Sequence, residues 1–182
     1  MIQNIIFDWG NKSFLFYLTL YMALFIIPIF LYVYYVYHLI PFQYLLLDKN
    51  ISSSVGKGLG IGVFVILIFL IVNHFSIHID ISRNGLFKLL GLLLAGPLEE
   101  IPFRGFYLKE FSAKIGFVYA NLLSSLMFAA LHFQSIQPEE FVKFIVLFIL
   151  SLWLGYLYHK TKSLWPPIIV HSFYNLSTII FT

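Results

Sequence analysis

The stretch FLFYLTLYMALFIIPIFLYVYYVY, Phe14 to Tyr37, holds 24 residues without a single Asp, Glu, Lys or Arg. A helix needs about 20 apolar residues to cross a hydrocarbon core of about 30 Å, so this stretch predicts a membrane span, with Pro28 placed to kink it. The same signal recurs along the chain. Gly58 to Ile79 predicts a second span, and a third apolar run starts at Gly85 and closes with the amphipathic stretch Lys109 to Lys114. Ile115 to Gln137, Phe141 to Tyr158 and Ser163 to Thr182 predict a fourth, fifth and sixth. Charged, Ser- and Gly-bearing segments at Leu45 to Lys57 and Asp80 to Lys88 read as loops. Only helices and closed barrels span bilayers, and the runs lack barrel alternation. The expectation is an all-α fold: a polytopic transmembrane helical bundle of about six spans. Residues 1–84 would form two N-terminal spans and their loops, and residues 85–182 a core that carries the chemistry.

Composition supports that class. The 182 residues are 60% hydrophobic, 20% aromatic and 10% charged, whereas soluble domains are about a quarter charged. Mean hydropathy is +0.91. A net charge of +3 invites a nucleic-acid reading, but the cations are scattered singly, with no basic stripe, which argues for no nucleic-acid partner. They read instead as residues flanking spans. Lys12, Arg83, Lys88 and Lys143 fall on one side, and Lys49, Lys57, Lys109, Lys114, Lys160 and Lys162 on the other. That excess tilts toward the second side as cytoplasmic, with both termini outside, without deciding it. The chain contains no cysteine, which removes thiol and disulfide chemistry. The first apolar run is too long for a signal core and lacks a small-residue cleavage site. A short chain rich in Phe, Ile and Leu suggests a multi-pass protein of a bacterial plasma membrane.

Within this oily background the segment GPLEEIPFRGF, Gly96 to Phe106, places Glu99, Glu100 and Arg104 together. A charge at mid-membrane costs roughly 2.5–3.5 kcal/mol on insertion scales, so such residues are functional by default. Glu100 and Arg104 are four apart and predict an ion pair on one helical face. Glu99 lies about 100° round the helix and is left over. Two further polar sets stand out: FAALH, which puts His132 one turn beyond Phe128, and HSFYN, which puts His171 one turn before Asn175. A lone histidine on an apolar helix more often makes a structural hydrogen bond than does chemistry. A His/Asn pair in a low-dielectric setting is less ordinary, because both groups require partners. A glutamate, two histidines and an asparagine suffice to activate water and to stabilise an oxyanion. Ser172 sits beside His171 but points elsewhere round the helix, so a Ser-His dyad is not expected. His74 and His78 share a face near the end of the second span and read as interface residues, and His38 and His159 also lie at span ends.

EEIPFR, FAALH and HSFYN match the ordered motifs E-E-x-x-x-R, F-x-x-x-H and H-x-x-x-N, with FRGF, SSLMFAALHF and SLWPPIIVH as agreeing flanks. Over roughly Gly85 to Thr182 the chain resembles the CPBP family of intramembrane endopeptidases. That family joins type II CAAX prenyl endopeptidases with bacterial proteins tied to bacteriocin processing and self-immunity. The resemblance implies an intramembrane endopeptidase acting on a peptide or small membrane-associated protein within a lipid bilayer. Glu99 would be the general base, His132 would help bind the water, and His171 with Asn175 would form the oxyanion hole. Glu100 and Arg104 would order the site, Arg104 steering a substrate carboxyl end, and Phe128 would pack. No cofactor is favoured, because Asn175 suits an oxyanion better than a metal. Zinc is the alternative, with Glu99, His132 and His171 as three ligands and water as a fourth. Two other function classes stay open: a non-proteolytic bacteriocin-immunity or scaffold protein keeping the fold, and a small proton-coupled transporter. One geometric demand follows from straight helices: His132 and His171 would differ in depth by about 13 Å, so tilts, late starts or kinks must close the gap.

Overall fold

The computed structural model describes residue 16 and residues 18–48, 50–72 and 83–180. It is an all-α bundle, and no strand occurs among the described residues. Helix α1 spans Leu18–Val36, and a short helix α2, Pro41–Tyr44, follows it. Helices α3 (Ile51–Val72) and α4 (Arg83–Glu100) come next. A π-helical segment, Ile101–Leu108, carries the chain without a break into α5, Lys109–Ile115. Helices α6 (Phe117–Leu131), α7 (Pro138–Thr161) and α8 (Trp165–Ile180) complete the bundle. Among the described residues α1, α3 and α7 are long and apolar enough to cross a membrane. The elements expected as spans three, four and six are α4 with its π segment, α6 and α8, and these carry the three motifs.

Several boundaries differ from the sequence reading, each for a local reason. The loop expected over Leu45 to Lys57 shrinks to the few residues before Ile51, so Lys57 stands on the second turn of α3. Of its serines and glycine only Ser54 is buried, where it starts a packing stripe with Gly58 and Gly62, a usual role of small residues between membrane helices. Arg83 to Lys88, read as loop, is already helical backbone. The fourth span, expected from Ile115 to Gln137, contracts to 15 residues. Gly116 adopts φ +77° and divides α5 from α6, a conformation open to glycine because it lacks a Cβ. The far end of the expected second span, with Asn73, His74 and His78, lies outside the described residues.

Prolines explain both π segments. Pro28 follows the π turn Met22–Ile26, and Pro102 lies within the first turn of the segment Ile101–Leu108. Proline offers no N–H to the carbonyl one α-turn back, and its ring crowds that carbonyl, so the ladder widens there. The wider turn falls directly after Glu99 and Glu100, the last two residues of α4.

Helix α8 is the central element and packs most extensively on α3 and α4. The contact with α4 is close: a Cβ on Gly96 would come 2.2 Å from Ser172 Oγ and 2.7 Å from the carbonyl of Ile168. On the other flank Gly62 of α3 lies under the ring of Phe173. The start of α8 is itself buried, with Ser163 and Leu164 enclosed. Leu164 N–H donates to the carbonyl of Leu46 at 3.3 Å, and Trp165 Nε1 donates to that of Leu47 at 2.8 Å. Helix α6, by contrast, begins with Val118 and Tyr119 exposed.

A polar clasp ties the first helices to α5. Tyr37 donates to Glu110 Oε2 at 2.6 Å, and the Tyr44 hydroxyl donates to Glu110 Oε1. The hydrogen bond to Glu110 holds the Tyr37 phenol well above its usual titration range. Burial, then the same carboxylate, does so for Tyr44. Both phenols therefore remain donors. Lys109 caps the clasp, its Nζ 3.6 Å above the Tyr44 ring.

Candidate active site

All six residues singled out from the sequence are buried: Glu99, Glu100, Arg104, His132, His171 and Asn175. The α4–π junction supplies the first three, the C-terminal end of α6 supplies His132, and α8 supplies the last two. The expected ion pair is present, with Arg104 Nη1 2.8 Å from Glu100 Oε1. It forms across the π turn rather than along an ideal α-helical face. Arg104 is also anchored from α7, where Nη2 donates to Ser151 Oγ at 2.7 Å and to the Ser151 carbonyl at 3.1 Å. Its guanidinium carbon lies 4.8 Å from the centre of the Phe128 ring. Every side of this buried cation is thereby occupied, as a desolvated charge requires.

Glu100 has a second partner that sequence spacing does not indicate. His171 Nδ1 donates to the same oxygen, Oε1, at 2.7 Å. One carboxylate oxygen thus receives both Arg104 and His171, while Oε2 has no hydrogen-bond partner among the described residues. The bond fixes the imidazole and turns its other nitrogen toward Glu99, with Nε2 3.7 Å from Glu99 Oε2.

His132 approaches Glu99 from the other side. Its Nε2 lies 3.6 Å from the same Oε2 atom. Its Nδ1 sits 2.8 Å from the Phe128 carbonyl, which can only accept, so the Nδ1 proton is placed there and Nε2 of the neutral ring carries the lone pair. Phe128, wholly buried, stacks at a tilt on His132 with centroids 4.6 Å apart and meets His171 edge-on at 5.7 Å. It separates the two imidazoles from the α6–α7 core formed with Phe103, Ala129 and Leu147.

Glu99 is therefore the carboxylate faced by two imidazole nitrogens, just beyond direct hydrogen-bond reach of each. Asn175 is buried one helical turn beyond His171 on α8. Among the described residues, no three His, Asp or Glu side chains are arranged to hold a metal ion. Sequence reasoning missed Ser151 as the anchor of Arg104, although a hydroxyl inside an uncharged run is a visible signal. It also missed Tyr21 of α1, which lies within electrostatic range of Glu99 and Glu100. With 12 tyrosines in the chain, nothing marked that one.

A family model described as Rce1-like, the type II CAAX prenyl endopeptidases, matches residues 82–177. The chain belongs to this family. The matched region contains α4, the π segment, α6, α7 and nearly all of α8, and so every residue of the cluster around Glu99. A Bacillus subtilis protein, "Putative membrane peptidase YdiL", is 32% identical over 89 residues. That stretch covers 48% of this chain and 34% of the relative, so the chain matches about a third of the relative's length. No solved structure matches the chain. Family membership and the apolar helices together place the protein in a membrane.

Proposed function

We propose that this protein is an intramembrane endopeptidase that hydrolyses a peptide bond of a peptide or membrane-associated protein, using water activated by Glu99. The observation that carries the reading is the convergence of two imidazole Nε2 atoms on one buried carboxylate oxygen, at 3.6 and 3.7 Å. Those separations exceed a direct hydrogen bond and suit groups that share a small reactant.

The chemistry follows from the donors. Water gives one proton to Glu99, while its other O–H is held by the lone pair of His132 Nε2. The resulting hydroxide attacks the carbonyl carbon and forms the C–O bond, and the carbonyl electrons move onto oxygen. His171, whose Nδ1–H is held by Glu100, offers Nε2–H to that oxyanion when the ring is doubly protonated, and the Asn175 amide donates beside it. On collapse the C–N bond breaks, and the departing amine takes the proton stored on Glu99. Glu100 and Arg104 touch no reacting atom and act as positioning residues. A groove of about 480 Å³ between α1 and the π segment, lined mainly by apolar residues such as Phe25, Pro28 and Phe106 with Glu110 and Lys114 at its edge, contains none of the six site residues. The setting is a bacterial plasma membrane with several crossings, and the wider role is CAAX-type or bacteriocin-related processing.

The test is cleavage of candidate membrane peptides by purified protein, with and without a chelator, for the native chain and Glu99→Gln. Activity that resists chelation and vanishes in Glu99→Gln supports the mechanism. Full cleavage by Glu99→Gln overturns the base assignment, and loss of native activity on chelation restores zinc on Glu99, His132 and His171.

A further inference from the structure

A second polar cleft, remote in sequence from the three motifs, opens where α5, the start of α6 and the turn between α7 and α8 meet. Its volume is about 400 Å³, and its lining includes Lys109, Ser112, Phe117, Tyr158, His159 and Lys162. Among the described residues no acidic side chain lines it. The nearest acid on α5, Glu110, has both oxygens engaged by Tyr37 and Tyr44. His159 lies flat on Phe117 with ring centroids 3.9 Å apart, which fixes the imidazole at the cleft wall. Lys162 ends α7 in the left-handed region, with φ 51° and ψ 37°. That turn brings its Nζ within 3.4 Å of His159 Nδ1.

We propose that this cleft binds the phosphate of an anionic membrane phospholipid. The Lys162 ammonium, the His159 imidazole and the Tyr158 hydroxyl line the cleft, with the charge of Lys109, whose Nζ is also held by the Tyr44 carbonyl, beside them; charged and neutral donors of this kind suit a phosphodiester. Leu46, Leu108 and Phe117 give the same cleft an apolar wall, which fits the glycerol and upper acyl carbons rather than a free ion. Helix α7 is long and apolar enough to cross a membrane and ends at Thr161. The cleft at its end therefore lies at headgroup depth, where basic residues meet anionic lipid. The inference does not depend on the hydrolytic chemistry.

Native mass spectrometry of the full chain in a neutral detergent tests it, with dioleoyl phosphatidylglycerol, dioleoyl phosphatidylcholine and inorganic phosphate as probes. Phosphatidylglycerol is retained in preference to phosphatidylcholine. Lys162→Asn, chosen because Asn accepts a left-handed backbone, lowers that retention about tenfold, the scale of one lost charge-assisted contact. Lys160→Asn removes the same charge outside the cleft and leaves retention unchanged. His159→Gln gives a second lesion within the cleft, and gel filtration confirms that each variant is folded. Equal retention of the two lipids, equal loss in Lys160→Asn, or full displacement by equimolar inorganic phosphate overturns the proposal.

Discussion

Helix α3 and the π segment after Glu100 are opposites in burial. On α3 the large residues face outward: Phe64 is 61% exposed and Val72 67%. Its buried positions are Ser54, Gly58 and Gly62. On the π segment Arg104 is 1% exposed and lies at the centre of the fold. In water this order would be reversed. Where lipid surrounds the bundle, burying Leu or Phe gains little, because the tails are equally apolar. Polar groups gain most by leaving hydrocarbon, so they gather inside and small residues let the helices close around them. The interior therefore holds a buried polar cluster around Glu99 and Glu100 beside apolar clusters such as Phe103, Phe128, Ala129 and Leu147.

Ways to break this contrast range from large effects to none. Glu99→Gln removes one acceptor while keeping shape. Peptide cleavage should fall by roughly a thousandfold, within the range for losing a positioned general base, while thermal unfolding in detergent stays unchanged. A parallel collapse of stability would move Glu99 from chemistry to architecture. Arg104→Met strips the cation from Glu100, Ser151 and the Phe128 ring at once. Leaving a buried carboxylate uncompensated costs about 3–5 kcal/mol, read as a large drop in unfolding midpoint; an unchanged midpoint would deny that the pair organises the interior. Gly96→Ala pushes a methyl group into Ser172 and the Ile168 carbonyl. About 1–3 kcal/mol of destabilisation is expected from such overpacking, with α4 and α8 separating and activity falling alongside. Phe64→Leu, on the outward face of α3, should shift stability by no more than about 0.5 kcal/mol in detergent or bilayer. A loss as large as that of Gly96→Ala would mean this face meets protein rather than lipid.

Much of the site was legible because charge is rare in this sequence. The i, i+4 pair of Glu100 and Arg104, the surplus Glu99, and the His132, His171 and Asn175 positions all announce themselves against apolar neighbours. Their partnerships were less legible. Spacing assigns Glu100 to Arg104, and Arg104 is indeed there, but spacing cannot show that His171 arrives at the same oxygen from another helix. Ser151 is a visible hydroxyl in an uncharged run, but such a group commonly bonds its own backbone, and only the fold shows that it holds Arg104. The loop expected at Leu45 to Lys57 failed for a related reason: Gly and Ser mark turns in soluble chains, whereas here Ser54 is the first of the small residues, with Gly58 and Gly62, that α3 buries.

The sequence by itself determined the class of this protein: long uncharged runs demand helices in a bilayer, and three ordered motifs define the family core. The tertiary structure alone decided how the motifs combine. In helices apolar on every side, periodicity does not say which face turns inward. That choice is made when polar groups on different helices find one another, so the meeting of Glu99 with His132 and His171 exists only in three dimensions. The π turn at Pro102 follows directly after Glu99 and Glu100, and the close contact of α4 with α8 at Gly96 sets the two helices side by side; both are local features whose outcome depends on the neighbouring helices.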